Sequence, residues 1–189
     1  MTEKTLPGPA LQVLFVSRET SKSPLFSELV RIGRTLEHSI EPTKDTGVIS
    51  YDYGRRLIMT AKNTDVTRLG QDDIVEIVDY DPLKNIMLVI GTKEPCLEAP
   101  VHWIIQKARH DINILLQVHS PALVRRLQDS LPKIEEVTSP GSLDRAKVLL
   151  KTLRQGKTIL LPQDEEILFA GINIQEIERA VALHPKEPP

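Results

Sequence analysis

Residues 98–121 carry helix and strand signals in close succession: Glu98-Ala-Pro-Val-His-Trp-Ile-Ile-Gln-Lys-Ala-Arg109, then His110, then Asp111-Ile-Asn-Ile-Leu-Leu-Gln-Val-His-Ser-Pro121. The first part places apolar residues at positions 101, 104, 105 and 108, a spacing that predicts an amphipathic helix. The apolar run 112–118 predicts a buried strand. Ser120 followed by Pro121 favours the start of another helix. Helix and strand therefore alternate here.

The segments before this stretch predict two hairpins. The four β-prone runs are residues 47–50, 56–60, 73–80 and 85–90, joined in pairs by short turns. Each pair should form antiparallel strands. Ser23 and Pro24 favour the start of a helix with apolar residues at positions 25, 29, 32 and 36. The first β-prone run, residues 11–16, could pair at a sheet edge.

The segments after this stretch continue the mixture of helices and strands. The predicted elements are a helix after Ser120 that ends before Pro132, a helix at 143–154 with Gly156 as its C-cap, strands at 158–161 and 167–170, and a helix at 174–183. The tail 186–189 should fray. Together the elements predict an α/β fold, a three-layer α/β/α sandwich with a central, mainly antiparallel sheet.

Composition excludes several classes of protein. The 189 residues include 24 Lys and Arg against 26 Asp and Glu, a net charge of −2, so a large nucleic-acid footprint is not expected. No apolar stretch reaches the roughly 20 residues that a membrane span needs. The single cysteine, Cys96, cannot form an intramolecular disulfide, which favours a reducing, cytoplasmic setting.

Several motifs agree in order with those of a known family. Glu98 and His102 match a Ser-Glu-x-x-x-His pattern, and Gln117 to Pro121 matches His-x-His-Ser-Pro. Upstream, the run 46–50 is similar to Ser-Gly-Asn-x-Ser. Over roughly residues 24–183 the chain resembles the class II aldolase/adducin family, which includes fuculose-phosphate aldolase-like and ribulose-phosphate 4-epimerase-like proteins, as a divergent member. The resemblance implies that residues 23–189 form this domain, preceded by an N-terminal segment, 1–22, that is either flexible or an edge strand.

The resemblance implies a metal site and an acid/base group. Glu98 matches the family's acid/base glutamate, and His119 matches the second histidine of its metal-binding pair. Gln117 replaces the first histidine, and Glu165 falls at the third, with Asp164 as the alternative. The family implies zinc, whereas an oxygen-rich ligand set suits manganese, magnesium or iron better. The alternative interpretation is that His119 only makes hydrogen bonds near a strand end and the two carboxylates are solvated turn residues.

The resemblance also implies a pocket for a small carbonyl compound or sugar phosphate. The matching positions with small or polar groups are Gly47, Ser50, Thr60 and Asn63, and Lys62 could add a positive charge. Val48, Cys96 and Leu97 replace polar residues of the family pattern. Cys96 is either a reactive thiol beside Glu98 and Lys93 or an inert buried residue.

Two functions remain open from the sequence. The first is a metal-dependent aldehyde-lyase or epimerase with Glu98 as the base, and the second is an inactive, adducin-like ligand-binding or assembly module. The resemblance implies a homo-oligomer, a tetramer by analogy. Both functions rest on one spatial expectation, that His119 and the bend 163–166 lie together beside the carboxyl group of Glu98.

Overall fold

A computed structural model describes residues 10–37, 39 and 46–184. Within these ranges the chain forms eight strands and five α-helices. In chain order they are β1 Gln12–Ser17, α1 Phe26–Leu36, β2 Thr46–Tyr53, β3 Arg56–Thr60, β4 Ile74–Asp81, β5 Ile86–Ile90, α2 Ala99–Ala108, β6 Ile114–His119, α3 Pro121–Leu127, α4 Leu143–Thr152, β7 Thr158–Leu161, β8 Glu166–Gly171 and α5 Ile174–Ala182. The predicted mixed α/β fold is therefore confirmed.

The strands form one sheet in the order β1-β5-β4-β3-β2-β6-β8-β7. Strands β1 and β5 pair in parallel, and the other neighbours in that order pair antiparallel. Both predicted hairpins are present, as β2 with β3 and β4 with β5. Strand β1 lies at one end of this order and pairs with β5 alone.

Alternation along β6 directs apolar side chains to two different clusters. Ile114, Leu116 and Val118 pack in a cluster that also holds apolar residues of α1, α3 and α5. Leu115 packs in another cluster with apolar residues of α2 and α4. Because successive strand residues point to opposite faces of a sheet, Gln117 shares the α2 and α4 side with Leu115. The site described below is built on that side.

The helix ends differ from the predicted ones at several places. Helix α1 begins at Phe26, two residues after Pro24, because residues 24 and 25 form a turn. Helix α3 ends at Leu127, before the last predicted apolar position. Helix α4 ends at Thr152 and its C-cap is Leu153 in right-handed helical conformation, so the prediction of Gly156 as the cap was wrong.

Some predicted features fall outside the described residues, namely the first nine residues of the N-terminal segment and the tail 186–189. Among the helices that are described, none is both long enough and apolar enough to cross a membrane.

Candidate functional site

The site is centred on Arg145, in the first turn of α4. The side chain of Ser142 caps this helix by accepting a hydrogen bond from the Arg145 backbone N–H at 3.1 Å. Arg145 lies one turn before Leu149 and next to Ala146, both fully buried, so it occupies the inner face of the helix. Its side chain is only 1% exposed. A guanidinium this deeply buried needs compensating negative charge.

Three carboxylates supply that charge, one from the start of α2 and two from the connection between β7 and β8. Nη1 of Arg145 lies 2.6 Å from Oδ2 of Asp164, and Nη2 lies 2.5 Å from Oε2 of Glu166. Nε lies 3.1 Å from Oε1 of Glu98, an ion pair without hydrogen-bond geometry. Asp164 ends the bend after β7, Glu166 begins β8, and Glu98 is the N-cap of α2. We call Arg145 and these three residues the carboxylate cluster.

Glu98 is the least compensated carboxylate of the cluster. Its side chain is 9% exposed, and its Oε2 atom is buried and has no hydrogen-bond partner among the described residues. Burial raises the pKa of Glu98 to about 7, because the nearby guanidinium of Arg145 only partly offsets the cost of desolvation and Glu166 adds negative charge. The Glu98 carboxyl can therefore gain or lose a proton near neutral pH.

A chain of hydrogen bonds connects the carboxylate cluster to α2. Nε2 of Gln117 donates to Oε2 of Glu166 at 2.7 Å, so the amide oxygen Oε1 faces the buried ring of His102 at 3.1 Å. Since Oε1 can only accept, Nε2 of His102 must carry the hydrogen. On the other side of the ring, Nδ1 lies 2.7 Å from Oγ of Ser50. Burial lowers the pKa of His102 to about 4, so the ring is neutral at neutral pH.

The predicted metal ligands His119 and Glu165 lie in different surroundings from each other. His119 is half-buried, and its Nδ1 lies 3.0 Å from the backbone oxygen of Asp164. Glu165 is exposed and adopts a left-handed conformation, with φ of 55°. That turn directs the neighbours Asp164 and Glu166 towards Arg145 instead. The alternative position, Asp164, is therefore the one in the cluster.

The side chains that are present do not fit a divalent cation. No group of three or more His, Cys, Asp or Glu side chains suitable for a metal occurs in the described part of the chain. Asp164, Glu166 and Glu98 are close together, but the guanidinium of Arg145 lies among them. A divalent ion at that point would meet a positive charge within a few ångströms, and Arg cannot be neutralised by losing a proton.

A cleft of about 460 Å³ has Cys96, two residues before Glu98, in its lining. Gly47 and Asn63, two of the predicted ligand-binding residues, line it. Its described lining residues are Thr46, Gly47, Val48, Ala61, Asn63, Thr64, Asp65, Val66, Thr67 and Cys96. Asn63 is exposed and has a positive φ of 58°.

The other predicted ligand-binding residues do not line this cleft. Ser50 is buried and its hydroxyl lies between His102 and Oε1 of Gln106, while the hydroxyl of buried Thr60 accepts a hydrogen bond from the Ile49 backbone. Lys62 is exposed and is also not among the lining residues. The hydroxyls of Ser50 and Thr60 instead make hydrogen bonds within the sheet and to side chains of α2.

Cys96 lines the cleft as an inert residue. It is buried, and burial raises its thiol pKa to about 12, while the charge of Glu98 raises it further. Since only the thiolate is a strong nucleophile, burial favours the alternative of an inert residue.

The β2–β6 strand pair connects the cleft lining to two residues, Gln117 and His119, that contact the carboxylate cluster. Thr46 and Val48 line the cleft and lie opposite His119 and Gln117, respectively, in the antiparallel register. Side chains at such opposite positions are about 5 Å apart. The structure thus brings His119, the 163–166 bend and Glu98 into one region, as expected from the sequence. The residue that connects the bend to Glu98 is Arg145, which pairs with both.

Sequence reasoning missed Arg145 and Glu166. Arg145 carries a signal, since a charged residue at this position falls on the apolar stripe formed by residues 146, 149 and 153. Glu166 was assigned to the turn, yet it is the first residue of β8 and pairs with His119. Because alternate strand residues share a face, Glu166 lies on the same face of the sheet as Leu168, which packs beside α2 and α4.

Comparisons with known proteins bear on the fold. The sequence matches no family model and no curated protein. Among solved structures, an L-fuculose 1-phosphate aldolase superposes with a TM-score of 0.65 at 20% identity, covering 90% of this chain and 92% of that one. YgbL from Escherichia coli, a putative aldolase/epimerase/decarboxylase, gives 0.62 at 14% identity, with 83% of each chain covered.

A third solved structure is the N-terminal class II aldolase domain of a conserved protein from Thermoplasma acidophilum. It gives a TM-score of 0.59 at 14% identity and covers 86% of this chain and 91% of that one. At such low identity these likenesses bear on the fold. The chain has a divergent class II aldolase-like fold.

Proposed function

We propose that the protein binds a small hydroxylated carbonyl compound, a sugar or sugar phosphate, in the cleft beside Gly47 and Asn63, and that Glu98 exchanges a proton with it. One observation carries the proposal: Thr46 and Val48, which line the cleft, lie opposite His119 and Gln117, and Gln117 donates a hydrogen bond to Glu166 of the carboxylate cluster. A concave site beside a titratable carboxyl is a common arrangement for proton transfer.

The state of Glu98 supports its part in this proposal. A general acid or base works best when its pKa lies near the working pH, because both protonation states are then populated. The Glu98 pKa of about 7 meets that condition. Its Oε2 atom is buried and has no hydrogen-bond partner among the described residues, so this oxygen is not committed to another group. Deprotonation next to a carbonyl, as in an epimerase, needs such a group.

The lining of the cleft favours a neutral ligand over a phosphate. The described lining residues include Asp65 but no Lys or Arg. A carboxylate repels an anion, whereas the hydroxyl of Thr46 and the amide of Asn63 suit ligand hydroxyl groups. We therefore favour a neutral hydroxy-aldehyde or hydroxy-ketone as the ligand.

The proposal retains three further expectations of the resemblance. These are a three-layer arrangement with a mainly antiparallel sheet, a homo-oligomer of four subunits, and a cytoplasmic location. Helix α2, with Glu98 as its N-cap, and helix α4, which contains Arg145, then form the layer that holds the site.

The test combines binding and proton exchange. Isothermal titration calorimetry with small ketoses, aldoses and their phosphates measures binding, and proton NMR in D₂O measures exchange of the C–H next to the carbonyl. We expect the wild type and Glu98→Gln to bind alike, and only the wild type to catalyse exchange. Absence of binding to any of these compounds contradicts the ligand class. Equal exchange by Glu98→Gln contradicts the role of Glu98.

Cleft variants locate the binding site. Asn63→Gly keeps the positive φ while removing the amide, and Thr46→Val removes a hydroxyl at nearly constant volume. Each should weaken binding about fivefold, the equivalent of about 1 kcal/mol for one hydrogen bond. Lys62→Met is the matched control, since Lys62 does not line the cleft and its replacement should leave binding of a neutral ligand unchanged.

A further inference from the structure

Each of the three guanidinium nitrogens of Arg145 faces a different carboxylate. Nη1 faces Asp164, Nη2 faces Glu166 and Nε faces Glu98, at 2.6, 2.5 and 3.1 Å. The carboxylates come from the bend after β7, the start of β8 and the start of α2. The guanidinium therefore joins the start of α2 to the connection between β7 and β8.

Burial makes that convergence depend on the positive charge. The Arg145 side chain is 1% exposed, and the side chains of Glu98 and Glu166 are 9% and 21% exposed. Carboxylates crowded together with little water repel one another unless a cation lies between them. In proteins that cation is commonly a divalent metal or an arginine, and the two exclude each other at one point.

We propose that Arg145 is the built-in cation of the carboxylate cluster and takes the place of the divalent metal that the sequence resemblance implies, so that the cluster assembles without a metal. The planar guanidinium offers donors along several fixed directions, which suits carboxylates that approach from three sides. A metal ion could enter only if the guanidinium left. This inference concerns assembly and does not rest on the proposed proton transfer.

The inference predicts opposite metal responses in the wild type and in Arg145→Met. The wild type should contain no stoichiometric metal, and neither EDTA nor added Mn²⁺ should change its melting temperature. Arg145→Met keeps most of the side-chain volume but leaves the carboxylates without a cation. It should melt at a lower temperature, and added Mn²⁺ should raise that temperature in proportion to the logarithm of its concentration, because the ion binds the folded state.

Matched variants separate this effect from general damage. Arg145→Lys keeps a positive charge and should remain insensitive to Mn²⁺ and EDTA. Arg109→Met removes an arginine whose partner, Asp111, is 52% exposed, so it should change neither stability nor metal response noticeably. If Arg145→Met folds only when Mn²⁺ is supplied, the inference is supported.

Three results would overturn the inference. The first is a wild-type protein that retains stoichiometric metal and loses stability in EDTA. The second is an Arg145→Met protein that folds without any stabilisation by Mn²⁺, Mg²⁺ or Zn²⁺. If Arg145→Met does not fold under any condition, the triple variant Arg145→Met, Asp164→Asn, Glu166→Gln decides. In this variant two of the three carboxylates are replaced by neutral amides, so it should fold without metal. A triple variant that stays unfolded contradicts the inference.

Discussion

Gln117 donates a hydrogen bond from Nε2 to Oε2 of Glu166, at 2.7 Å, across the β6–β8 strand pair. The same carboxylate oxygen accepts from Nη2 of Arg145, at 2.5 Å. The other end of the Gln117 amide faces the buried ring of His102. The amide thus couples a neutral histidine to a charged cluster, which it can do because it is both a donor and an acceptor.

Gln117→Leu tests this coupling. The substitution keeps a similar volume but leaves the Nε2–H of His102 without a buried acceptor and removes one donor from Glu166. We expect the free energy of unfolding to fall by about 2–3 kcal/mol, as measured by urea denaturation. Gln117→Leu and Glu166→Gln should also be non-additive, since the residues are in contact. Additive effects in a double-mutant cycle would contradict the coupling.

Glu98→Gln should change the pH dependence of stability. The folded-state pKa of Glu98 is raised to about 7 from an ordinary value of 4.5, so its contribution to stability is full below pH 4.5 and is lost as the pH rises through 7. The full effect is on the order of 3 kcal/mol. Because glutamine does not titrate, Glu98→Gln removes this loss of stability. Urea denaturation at a series of pH values should therefore show Glu98→Gln gaining stability relative to wild type as the pH rises from 4.5 to above 7.

His102 contributes with the opposite sign. Its folded-state pKa is lowered to about 4 from 6.5, so its contribution to stability is full above pH 6.5 and is lost as the pH falls through 4. We expect His102→Gln, which retains a donor and an acceptor, to lose less stability than wild type over this interval. NMR titration of the wild-type ring provides a direct check. A ring that titrates near pH 6.5 in the folded protein would contradict the assignment.

Cys96 should be unreactive in the folded protein. The residue is 8% exposed and its thiol pKa is raised to about 12, so almost no thiolate is present near neutral pH. Labelling with a chromogenic disulfide reagent should be slow under native conditions and complete after addition of denaturant. Rapid labelling of the native protein would show that the thiol is accessible.

Gly141 offers a test of the junction between α4 and Glu98. Its φ is +72°, and an added Cβ would lie 2.4 Å from the backbone oxygen of Leu97, the residue before Glu98. Gly141→Ala should lower the free energy of unfolding by about 3 kcal/mol, through strain and a backbone clash. Gly54→Ala is the matched control, because its φ is +65° and its added Cβ meets nothing within 4 Å. There the loss should be about 1–2 kcal/mol, from strain alone. Equal losses in thermal denaturation would contradict the clash.

Part of the site could be predicted from the sequence because its residues sit in local patterns. Glu98 precedes an amphipathic helix and Gln117 lies in an apolar strand, and both positions are as expected. Gly47 and Asn63 line the cleft beside them. Ser50 and Thr60 do not line it, because their side chains point into hydrogen-bonded packing that spacing along the chain does not reveal.

The sequence by itself determined the order of helices and strands and both hairpins, since hydrophobic periodicity and turn residues act over a few neighbouring positions. It also determined a nearly even charge balance, with 24 Lys and Arg against 26 Asp and Glu. Only the tertiary structure decided which charges meet. Arg145 and Glu98 are 47 positions apart in the numbering, and a left-handed turn at Glu165 directs its two neighbours, rather than itself, to the guanidinium. Such pairing depends on how distant elements pack and on the desolvation that packing imposes, and neither is encoded in local spacing.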